Sequence, residues 1–193
     1  LNLWSLYHYF INFLAICYSF INFSLKGVGH RVVQGGAYFS SSAIIDEDVV
    51  NKIDELKSLA PLHNPAHLTG YYAFKEAIPN AGAVAVFDTA FHQTLEPKCY
   101  IYPIPYKYYT DYKVRKYGAH GTSHYYVSQR CNEMLGNPEH SKIIVAHLGA
   151  GGSLSAVKDG KSVNTSMGFT PLAGIMKITS NISNNTTIKN INC

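Results

Sequence analysis

Paired cysteines are the first feature that this sequence lacks. Its four cysteines are Cys17, Cys99, Cys131 and Cys193, and no two of them form a Cys-x-x-Cys pair. Disulfide frameworks and structural zinc sites are built from closely spaced cysteines, so this spacing argues against both. We therefore expect a protein of a reducing, cytoplasmic compartment.

Charged side chains are also scarce. They make up 15% of the 193 residues, and the formal net charge is only +4. The basic residues are scattered, apart from a small group that gives a weak indication of anion binding: Lys107, Lys113, Arg115 and Lys116. A nucleic-acid-binding surface needs a dense basic patch, so we expect no nucleic acid partner. A hydrophobic fraction of 47% is ample for the core of one domain and a fraction of a second.

The common phosphate-binding and zinc-binding signatures are missing as well. There is no Walker A loop, no Gly-x-Gly-x-x-Gly motif and no His-Glu-x-x-His motif. His63 and His67 have the spacing of two metal ligands on a helix, but Pro65 lies between them and no glutamate completes the pattern. Hydrogen-bonding histidines are the simpler interpretation, and P-loop, Rossmann-type and zinc-protease sites are disfavoured.

The two ends differ in composition from the middle. Residues 1–26 are rich in aromatic and aliphatic side chains, and residues 1–25 carry no charged side chain. This stretch is long enough to span a membrane, but asparagines interrupt it, and it lacks a basic start and a clear cleavage site. We expect no membrane association, while a membrane-tethered protein is the alternative. Residues 177–193 form an asparagine-rich, low-complexity tail, and we expect both ends to be the least ordered parts of the chain.

The middle is organised around a short apolar run that ends in an acid. Residues 83–87 read Ala-Val-Ala-Val-Phe, which predicts a buried strand, and Asp88 follows directly. A carboxylate at the end of a buried strand is costly unless something uses it, and ligands of open α/β sheets bind beyond the carboxyl ends of the strands. Asp88 is therefore a candidate for chemistry. The alternative is a helix cap or a loop aspartate.

Two further polar residues lie at the ends of predicted elements. Arg31 is part of the strand predicted for residues 28–33, which runs into a glycine pair where a guanidinium can bind an anion through two hydrogen bonds. His120 lies between two glycines just before a helix predicted over residues 122–134, a position that favours an anion. A surface arginine and a loop histidine are the alternatives. We expect Arg31, Asp88 and His120 to converge on one cleft.

A second strand leads into a glycine-rich loop. Residues 142–148 read Lys-Ile-Ile-Val-Ala-His-Leu, with residues 143–146 predicted as buried strand, and the glycines that follow leave backbone N–H groups free to cradle a phosphate. Asp159 and Gly160 then predict a tight hairpin with a type I′ turn. Strand, glycine loop and hairpin without an intervening helix differ from the dinucleotide-binding order. They fit the phosphate hairpins of the actin and hexokinase type.

Six segments of the middle together resemble the acetate kinase family, in the same order and with compatible spacing. They are GHRVVQGG, LAPLHNPAHLTG, VFDTAFHQT, RKYGAHGTSHYYVSQR, HLGAGGS and DGKSVNTSMGFTPLAGIM. The resemblance covers residues 28–176. It implies an α/β fold of the ribonuclease H-like, actin-like ATPase type, with mixed sheets, flanking helices and an incomplete second domain. Residues 27–140 would form the acid-binding and catalytic part of the first domain, and residues 141–176 the start of the nucleotide-binding domain.

The resemblance also implies a reaction and a set of site residues. The family transfers a phosphoryl group reversibly between ATP and acetate, giving acetyl phosphate and ADP, with Mg²⁺ bound together with the nucleotide. The implied catalytic residues are Asp88, His120 and Arg31. The residues implied to bind the acid are Arg31, His63, Pro65 and Leu68. Those implied to bind the nucleotide phosphates are His147, Leu148, Gly149, Ala150 and Gly151. No metal ligand is assigned, and the implied partners are acetate or another short-chain acid, ATP or ADP, and a second copy in a homodimer.

The sequence also departs from the family pattern. Gln34 lies where histidine is usual, Ala119 where phenylalanine is usual and Ala150 where asparagine is common; of these, Ala119 could loosen the adjacent catalytic histidine. The family's first phosphate hairpin has no counterpart in residues 1–25, and its Gly-Thr-Arg-Ser-Gly motif is missing after the last matched segment. We therefore expect weak or no turnover from this chain alone. The alternatives are an inactive fragment or pseudoenzyme that only binds anions, a kinase for another short-chain acid, or one that uses pyrophosphate.

Overall fold

The computed structural model describes residues 25–175, which form two three-stranded β-sheets with helices packed around them. The strands are β1 (Gly27–Val32), β2 (Ala43–Ile44), β3 (Gly82–Phe87), β4 (Lys142–His147), β5 (Ser153–Lys158) and β6 (Lys161–Thr165). The α-helices are α1 (Glu47–Glu55), α2 (Asn64–Ala77), α3 (Pro97–Tyr100), α4 (Lys107–Tyr112) and α5 (Gly121–Met134). Two short 3₁₀ helices span Leu56–Ser58 and Ala90–Thr94. The predictions made for the two ends, at residues 1–24 and 176–193, lie outside the described residues.

The first sheet brings the ends of two parallel strands together. β1 lies beside β3, with Arg31 opposite Val86 and Val32 opposite Phe87, and the short β2 pairs antiparallel with β3. The pairing continues past the strand, because the Asp88 N–H donates to the Val32 carbonyl at 2.9 Å. Parallel strands present their carboxyl ends at one sheet edge, so Arg31 and Asp88 come to the same edge.

Apolar side chains from this sheet, from α1 and from the loop between β1 and β2 form the main core. The cluster consists of Val32, Phe39, Val49, Ile53, Ala85 and Phe87. Phe39 and Phe87 stack with their ring centroids 4.0 Å apart. The start of α1 is fixed by Asp46, whose carboxylate accepts the Val49 N–H at 2.9 Å and so satisfies one free donor of the first turn. The core therefore anchors β1 and β3, the two strands whose carboxyl ends bring Arg31 and Asp88 together.

The two predicted buried strands exist, but each is buried on one face only. In β3, Phe87 is buried whereas Val84 is 36% exposed, and in β4, Val145 is buried whereas Ile144 is 71% exposed. Both strands are therefore confirmed, but their burial is one-sided, because successive side chains point to opposite faces of a sheet and only one face of each strand is covered.

The second sheet is antiparallel throughout, in the order β4–β5–β6. Its hairpin turns at Asp159 and Gly160, whose φ angles are 49° and 76°. Two successive positive φ angles are typical of the type I′ turn, so the predicted hairpin is confirmed. β6 packs against the 3₁₀ helix Ala90–Thr94, and α5 packs against β4, which joins this sheet to the residues that follow Asp88.

Two helices begin close to the residues singled out from the sequence. α2 starts at Asn64, with Pro65 in its first turn, where the missing proline N–H leaves no hydrogen bond unmade. α5 starts at Gly121, one residue earlier than predicted, and His120 immediately precedes it. Within residues 25–175, no helix combines the length and the apolar character needed to cross a membrane.

Candidate active site

Arg31 and Asp88 form a two-pronged ion pair at the carboxyl edge of the first sheet. The Arg31 Nε donates to Asp88 Oδ1 at 3.0 Å, and the Nη2 donates to Oδ2 at 2.6 Å. The Asp88 side chain is 2% exposed, whereas that of Arg31 is 62% exposed. The hydrogen bonds to the carboxylate raise the pKa of Arg31, so the guanidinium stays charged. The negative charge of Asp88 is therefore buried, whereas the positively charged guanidinium of Arg31 is exposed to solvent.

The backbone of Asp88 also fixes the start of α5. The Gly121 N–H donates to the Asp88 carbonyl at 2.8 Å. A Cβ at position 121 would lie 2.2 Å from that oxygen, so glycine alone allows the approach. Because His120 is the residue just before the helix, this contact holds it next to Asp88.

His120 faces the second sheet with one ring edge and the glycine loop with another. Its backbone is left-handed, with a φ of 58°, and its Nδ1 lies 2.9 Å from Ser153 Oγ. A Cβ at Gly151 would lie 3.3 Å from His120 Cε1 and 3.5 Å from Nε2. The Cε1–Nε2 edge of the imidazole is therefore directed at the loop between β4 and β5.

The charge state of His120 follows from its surroundings. Burial lowers its pKa most, and the charges of His147 and Arg31 lower it further, whereas Asp88 raises it. The imidazole is therefore uncharged at neutral pH. These interactions also place His120 within electrostatic reach of the Arg31–Asp88 pair, so the structure brings the three predicted catalytic residues into one region.

Three more histidines surround His120 and form a compact cluster with it: His92, His124 and His147. The His147 ring stacks on His120 with centroids 4.0 Å apart and an interplanar angle of 27°. Its Nδ1 lies 2.9 Å from Ser123 Oγ, in the first turn of α5. The His124 Nε2 lies 2.7 Å from Ser153 Oγ, the same hydroxyl that His120 contacts. The cluster therefore links α5 to both strands of the glycine loop.

The two most deeply buried histidines of the cluster are uncharged. Burial lowers the pKa of His92 to about 4 and that of His124 to about 3. His92 Nδ1 lies 2.8 Å from Ser162 Oγ, and its Nε2 lies 3.1 Å from the Ala119 carbonyl. Both rings therefore act as neutral hydrogen-bonding groups that tie the second sheet to the residues around His120.

The glycine loop between β4 and β5 is open to solvent. Its exposed residues are Leu148, Gly149 and Ala150. His147 stacks on His120 at one end of the loop, and Gly151 lies against the same ring at the other end. An exposed loop of backbone amides can receive phosphate oxygens without the movement of a side chain.

The residues implied for the acid substrate lie at the start of α2. His63 and Pro65 are exposed, whereas Leu68 packs against the core of the first sheet. His67, for which the sequence predicts no substrate role, lies within electrostatic reach of the Arg31–Asp88 pair. Burial lowers the pKa of His67 most, followed by the charge of His63, and both members of the Arg31–Asp88 pair also act on it. The roles of His63, Pro65 and Leu68 stay predictions.

Known proteins are similar to this chain in both sequence and fold. The acetokinase family model matches residues 11–183. The chain belongs to the acetokinase family. It is 60% identical over 153 residues to an acetate kinase of Streptococcus agalactiae and 58% identical over 152 residues to an acetate kinase of Geobacillus kaustophilus. These matches cover 79% and 78% of this chain but 38% of each relative, so the chain spans about two fifths of the length of these curated relatives.

Solved structures of acetokinases have the same architecture. The crystal structure of Porphyromonas gingivalis acetate kinase matches with a TM-score of 0.78 and 46% identity, over 81% of this chain and 40% of that chain. A propionate kinase from Francisella tularensis matches with a TM-score of 0.76 and 51% identity, over 78% of this chain and 39% of that chain. The predicted α/β fold of the ribonuclease H-like, actin-like ATPase type is thereby confirmed, with this chain covering part of it.

Two positions at which this chain departs from the family pattern are buried beside the site. The Gln34 Oε1 accepts the Gly36 N–H at 2.9 Å, and the Gln34 N–H donates to Asn64 Oδ1 at 3.3 Å. Ala119 is buried, and its carbonyl is the partner of His92 Nε2. Both positions therefore make defined contacts that support the turn after β1 and the start of α5.

Sequence reasoning assigned no role to four buried polar residues that support the site: Thr89, His92, His124 and Ser153. The Thr89 Oγ1 accepts the Gly35 N–H at 3.0 Å, which ties the glycine turn after β1 to the residue after Asp88. The available signal was a polar residue just after a predicted strand end for Thr89 and His92, whereas His124 lies inside the predicted helix and Ser153 at the end of the glycine loop. This signal was insufficient because the hydrogen-bond partners are far away along the chain.

Asp88 is the carboxylate that this site offers to a metal ion. Within residues 25–175, no three His, Cys, Asp or Glu side chains form a group that could hold a metal by themselves. Mg²⁺ in phosphotransferases is usually bound by one or two carboxylates together with substrate phosphates and water. Asp88 fits this pattern as a single ligand, because a carboxylate that accepts two hydrogen bonds from an arginine keeps further lone pairs.

Proposed function

We propose that this chain carries the acid-binding side, and the first part of the nucleotide-binding side, of an acetate kinase. Such an enzyme transfers a phosphoryl group between ATP and acetate to give acetyl phosphate and ADP. The observation that carries the proposal is the buried Asp88 carboxylate, held by Arg31 and placed next to His120 at an open glycine loop. Membership of the acetokinase family supports the same reaction.

Arg31 supplies positive charge on the solvent side of the ion pair. Asp88 engages its Nε and Nη2, and a guanidinium has five N–H donors, so other donors remain for an anion. These donors would bind the carboxylate of acetate or the phosphoryl group in transit. Phosphoryl transfer depends mainly on positioning and charge neutralisation, and an arginine at this place serves both.

Asp88 has two tasks in this proposal. It fixes the plane of the Arg31 guanidinium through two hydrogen bonds, and it offers one carboxylate oxygen to the Mg²⁺ that accompanies the nucleotide. When bound, the ion neutralises part of the phosphate charge. Because the Asp88 side chain is only 2% exposed, solvent screens the carboxylate less than it would at the surface, which strengthens both interactions.

His120 serves as a hydrogen-bond donor to the phosphoryl group. Its imidazole is neutral and directs the Cε1–Nε2 edge at Gly151. Phosphate oxygens held by the backbone amides of the glycine loop would meet this edge. A donor aimed at these oxygens stabilises the charge that the transition state spreads over them.

The remaining assignments complete the proposal. Residues 147–151 bind the nucleotide phosphates, and His63, Pro65 and Leu68 shape the pocket for the acid. Residues 27–140 belong to the acid-binding domain and residues 141–176 to the nucleotide-binding domain. We propose a cytoplasmic homodimer that uses Mg²⁺. A kinase for another short-chain acid is the second candidate, because a propionate kinase from Francisella tularensis is 51% identical to this chain.

Trapping of the acyl phosphate by hydroxylamine tests the proposal. The chain is incubated with ATP, Mg²⁺ and either acetate or propionate, and the acyl hydroxamate is measured. We expect at most weak formation from this chain, and any formation should fall at least about a hundredfold in Asp88→Asn, because the amide removes the charge that orients Arg31. The control is Asp54→Asn, which changes an exposed aspartate paired with Lys57 in α1.

The outcomes of this assay are distinct. Equal hydroxamate formation by the unaltered chain and by Asp88→Asn would contradict the assigned chemistry. Saturable binding of acetyl phosphate without any turnover would indicate an inactive anion-binding protein instead. The absence of both turnover and binding would refute the proposal.

A further inference from the structure

We propose that His124 and Ser153 are positioning residues that keep the proton of His120 on Nε2, where it faces the glycine loop. The use of that proton rests on the proposed phosphoryl transfer. The placement of the proton is a property of the folded chain, and it can be measured without substrate.

One hydroxyl joins two imidazole rings in this arrangement. Ser153 Oγ lies 2.9 Å from His120 Nδ1 and 2.7 Å from His124 Nε2. Ser153 and His124 have no exposed surface, so solvent does not compete for these contacts. A serine hydroxyl has one proton to donate and two lone pairs that accept. Ser153 can therefore donate to His120, donate to His124, or accept from both rings.

The second nitrogen of His124 decides between these three arrangements. His124 Nδ1 is buried and has no hydrogen-bond partner among residues 25–175. If Ser153 donated to His124, the only proton of that neutral ring would sit on Nδ1 as a buried, unpaired donor. If Ser153 accepted from both rings, its own buried proton would be unpaired as well. Buried donors are left unpaired more rarely than acceptors, so both arrangements are disfavoured.

The remaining arrangement leaves one acceptor unpaired and satisfies every proton. In it, His124 Nε2–H donates to Ser153, and the Ser153 hydroxyl donates to His120 Nδ1. Because His120 is neutral, its single proton then lies on Nε2, on the ring edge that faces Gly151. The stacked His147 ring, 4.0 Å away, holds the plane of His120 in this direction.

This proton placement matters for the proposed reaction. A protonated Nε2 donates to a phosphoryl oxygen, whereas a bare Nε2 would present a lone pair to a negatively charged group. Hydrogen bonding at one ring nitrogen fixes the tautomer and so sets the function of the other nitrogen. His124 and Ser153 would thus act on substrate only through His120.

Nitrogen-15 NMR of the histidine-labelled chain, recorded without substrate, reads the tautomer. The His120 signals are assigned by their loss in His120→Asn, because asparagine tolerates the left-handed backbone at this position. We expect an unprotonated Nδ1 and a protonated Nε2 at His120, and a protonated Nε2 at His124. A protonated Nδ1 at His120 would overturn the inference.

Two substitutions of His124 separate positioning from packing. His124→Gln keeps an N–H donor near the place of Nε2, whereas His124→Phe keeps a ring of similar size without the donor. We expect the glutamine variant to retain the tautomer of His120. In the phenylalanine variant the Ser153 hydroxyl loses the His124 donor that polarises it, so the ratio of Nε2–H to Nδ1–H forms at His120 should fall about threefold while Nε2–H stays the major form. An unchanged ratio in both variants would overturn the role of His124. If the phenylalanine variant does not fold, the spectrum of the unaltered chain decides.

Failure of this inference can be distinguished from failure of the proposed function. A chain without acyl phosphate formation or acetyl phosphate binding, but with an unprotonated Nδ1 at His120, would refute the proposed reaction. The inferred position of the His120 proton would still hold. A protonated Nδ1 at His120 together with Asp88-dependent turnover would refute the inferred position of the proton, and the proposed reaction would still hold.

Discussion

Replacement of Gly121 by alanine is expected to destabilise the chain and to move His120 away from Asp88. The added Cβ would lie 2.2 Å from the Asp88 carbonyl oxygen and 3.1 Å from the Phe91 Cβ. The Asp88 carbonyl on one side and the Phe91 Cβ, whose position is set by its own backbone, on the other leave no space for the methyl group. The first turn of α5 must therefore retreat, and the 2.8 Å hydrogen bond from the Gly121 N–H to Asp88 is lost.

The magnitude of this effect can be worked out from its parts. Overpacking of a tight site costs about 1–3 kcal/mol, and the lost hydrogen bond costs about 1 kcal/mol. Alanine returns about 0.5–1 kcal/mol, because it loses less backbone entropy than glycine in a helix. We therefore expect the free energy of unfolding to fall by about 2 kcal/mol in Gly121→Ala.

Urea denaturation followed by circular dichroism measures this change, with Gly70→Ala as the matched control. Gly70 lies inside α2, and an added Cβ there meets nothing within 4 Å. Gly70→Ala should therefore raise the free energy of unfolding by about 0.5–1 kcal/mol. A Gly121→Ala chain that unfolds within about 0.5 kcal/mol of the unaltered chain would refute the reasoning.

Three further predictions concern buried polar groups. Asn64→Ala should lower the free energy of unfolding by about 2–4 kcal/mol, measured with urea, because the buried amide makes three hydrogen bonds to backbone groups. Burial holds the folded-state pKa values of His92 and His124 at about 4 and about 3, below the value of 6.5 expected in the unfolded chain. The unfolded chain therefore binds more protons in acid, so thermal melts should show full stability above pH 6.5 and a progressive loss as the pH falls towards 4 and then 3. Arg115→Lys should cost about 1–2 kcal/mol in urea unfolding, because the buried guanidinium stacks 3.6 Å from the Tyr100 ring centroid and an ammonium cannot stack in this way.

Exposed residues of the same types provide the controls for these three experiments. They are Asn51→Ala in α1, His140→Gln before β4 and Arg130→Lys in α5. Each should change the free energy of unfolding at neutral pH by less than about 0.5 kcal/mol. Equal effects in a buried residue and its exposed control would contradict the role assigned to burial.

Local signals were sufficient to predict much of this fold. The apolar run before Asp88 predicts β3, because β-branched and alternating small residues fit a strand, and the Asp159–Gly160 pair predicts its hairpin through a turn that few other residues allow. The start of α5 was placed one residue late, because its position is set by the contact between Gly121 and the Asp88 backbone. That contact joins distant parts of the chain, and no local pattern encodes it.

The hydrogen bonds that hold the His120 ring in place could not be predicted from any local sequence pattern. Ser153 is one of two serines in β5, and its two histidine partners lie 29 and 33 residues earlier in the chain. The exposure of Ile144 could likewise not be predicted, because an apolar run does not reveal whether one face or both faces of the strand are covered.

Calorimetric titration with acetyl phosphate tests most directly whether Arg31, Asp88 and His120 form a site for an acyl phosphate. Arg31→Lys keeps the positive charge opposite Asp88 but loses the planar fork that can bind two anions at once. Arg130→Lys, at an exposed arginine paired with Glu133, is the control. We expect saturable binding that weakens at least about tenfold in Arg31→Lys and stays unchanged in Arg130→Lys. The absence of saturable binding, or an equal affinity in Arg31→Lys and the unaltered chain, would contradict the assignment of this site.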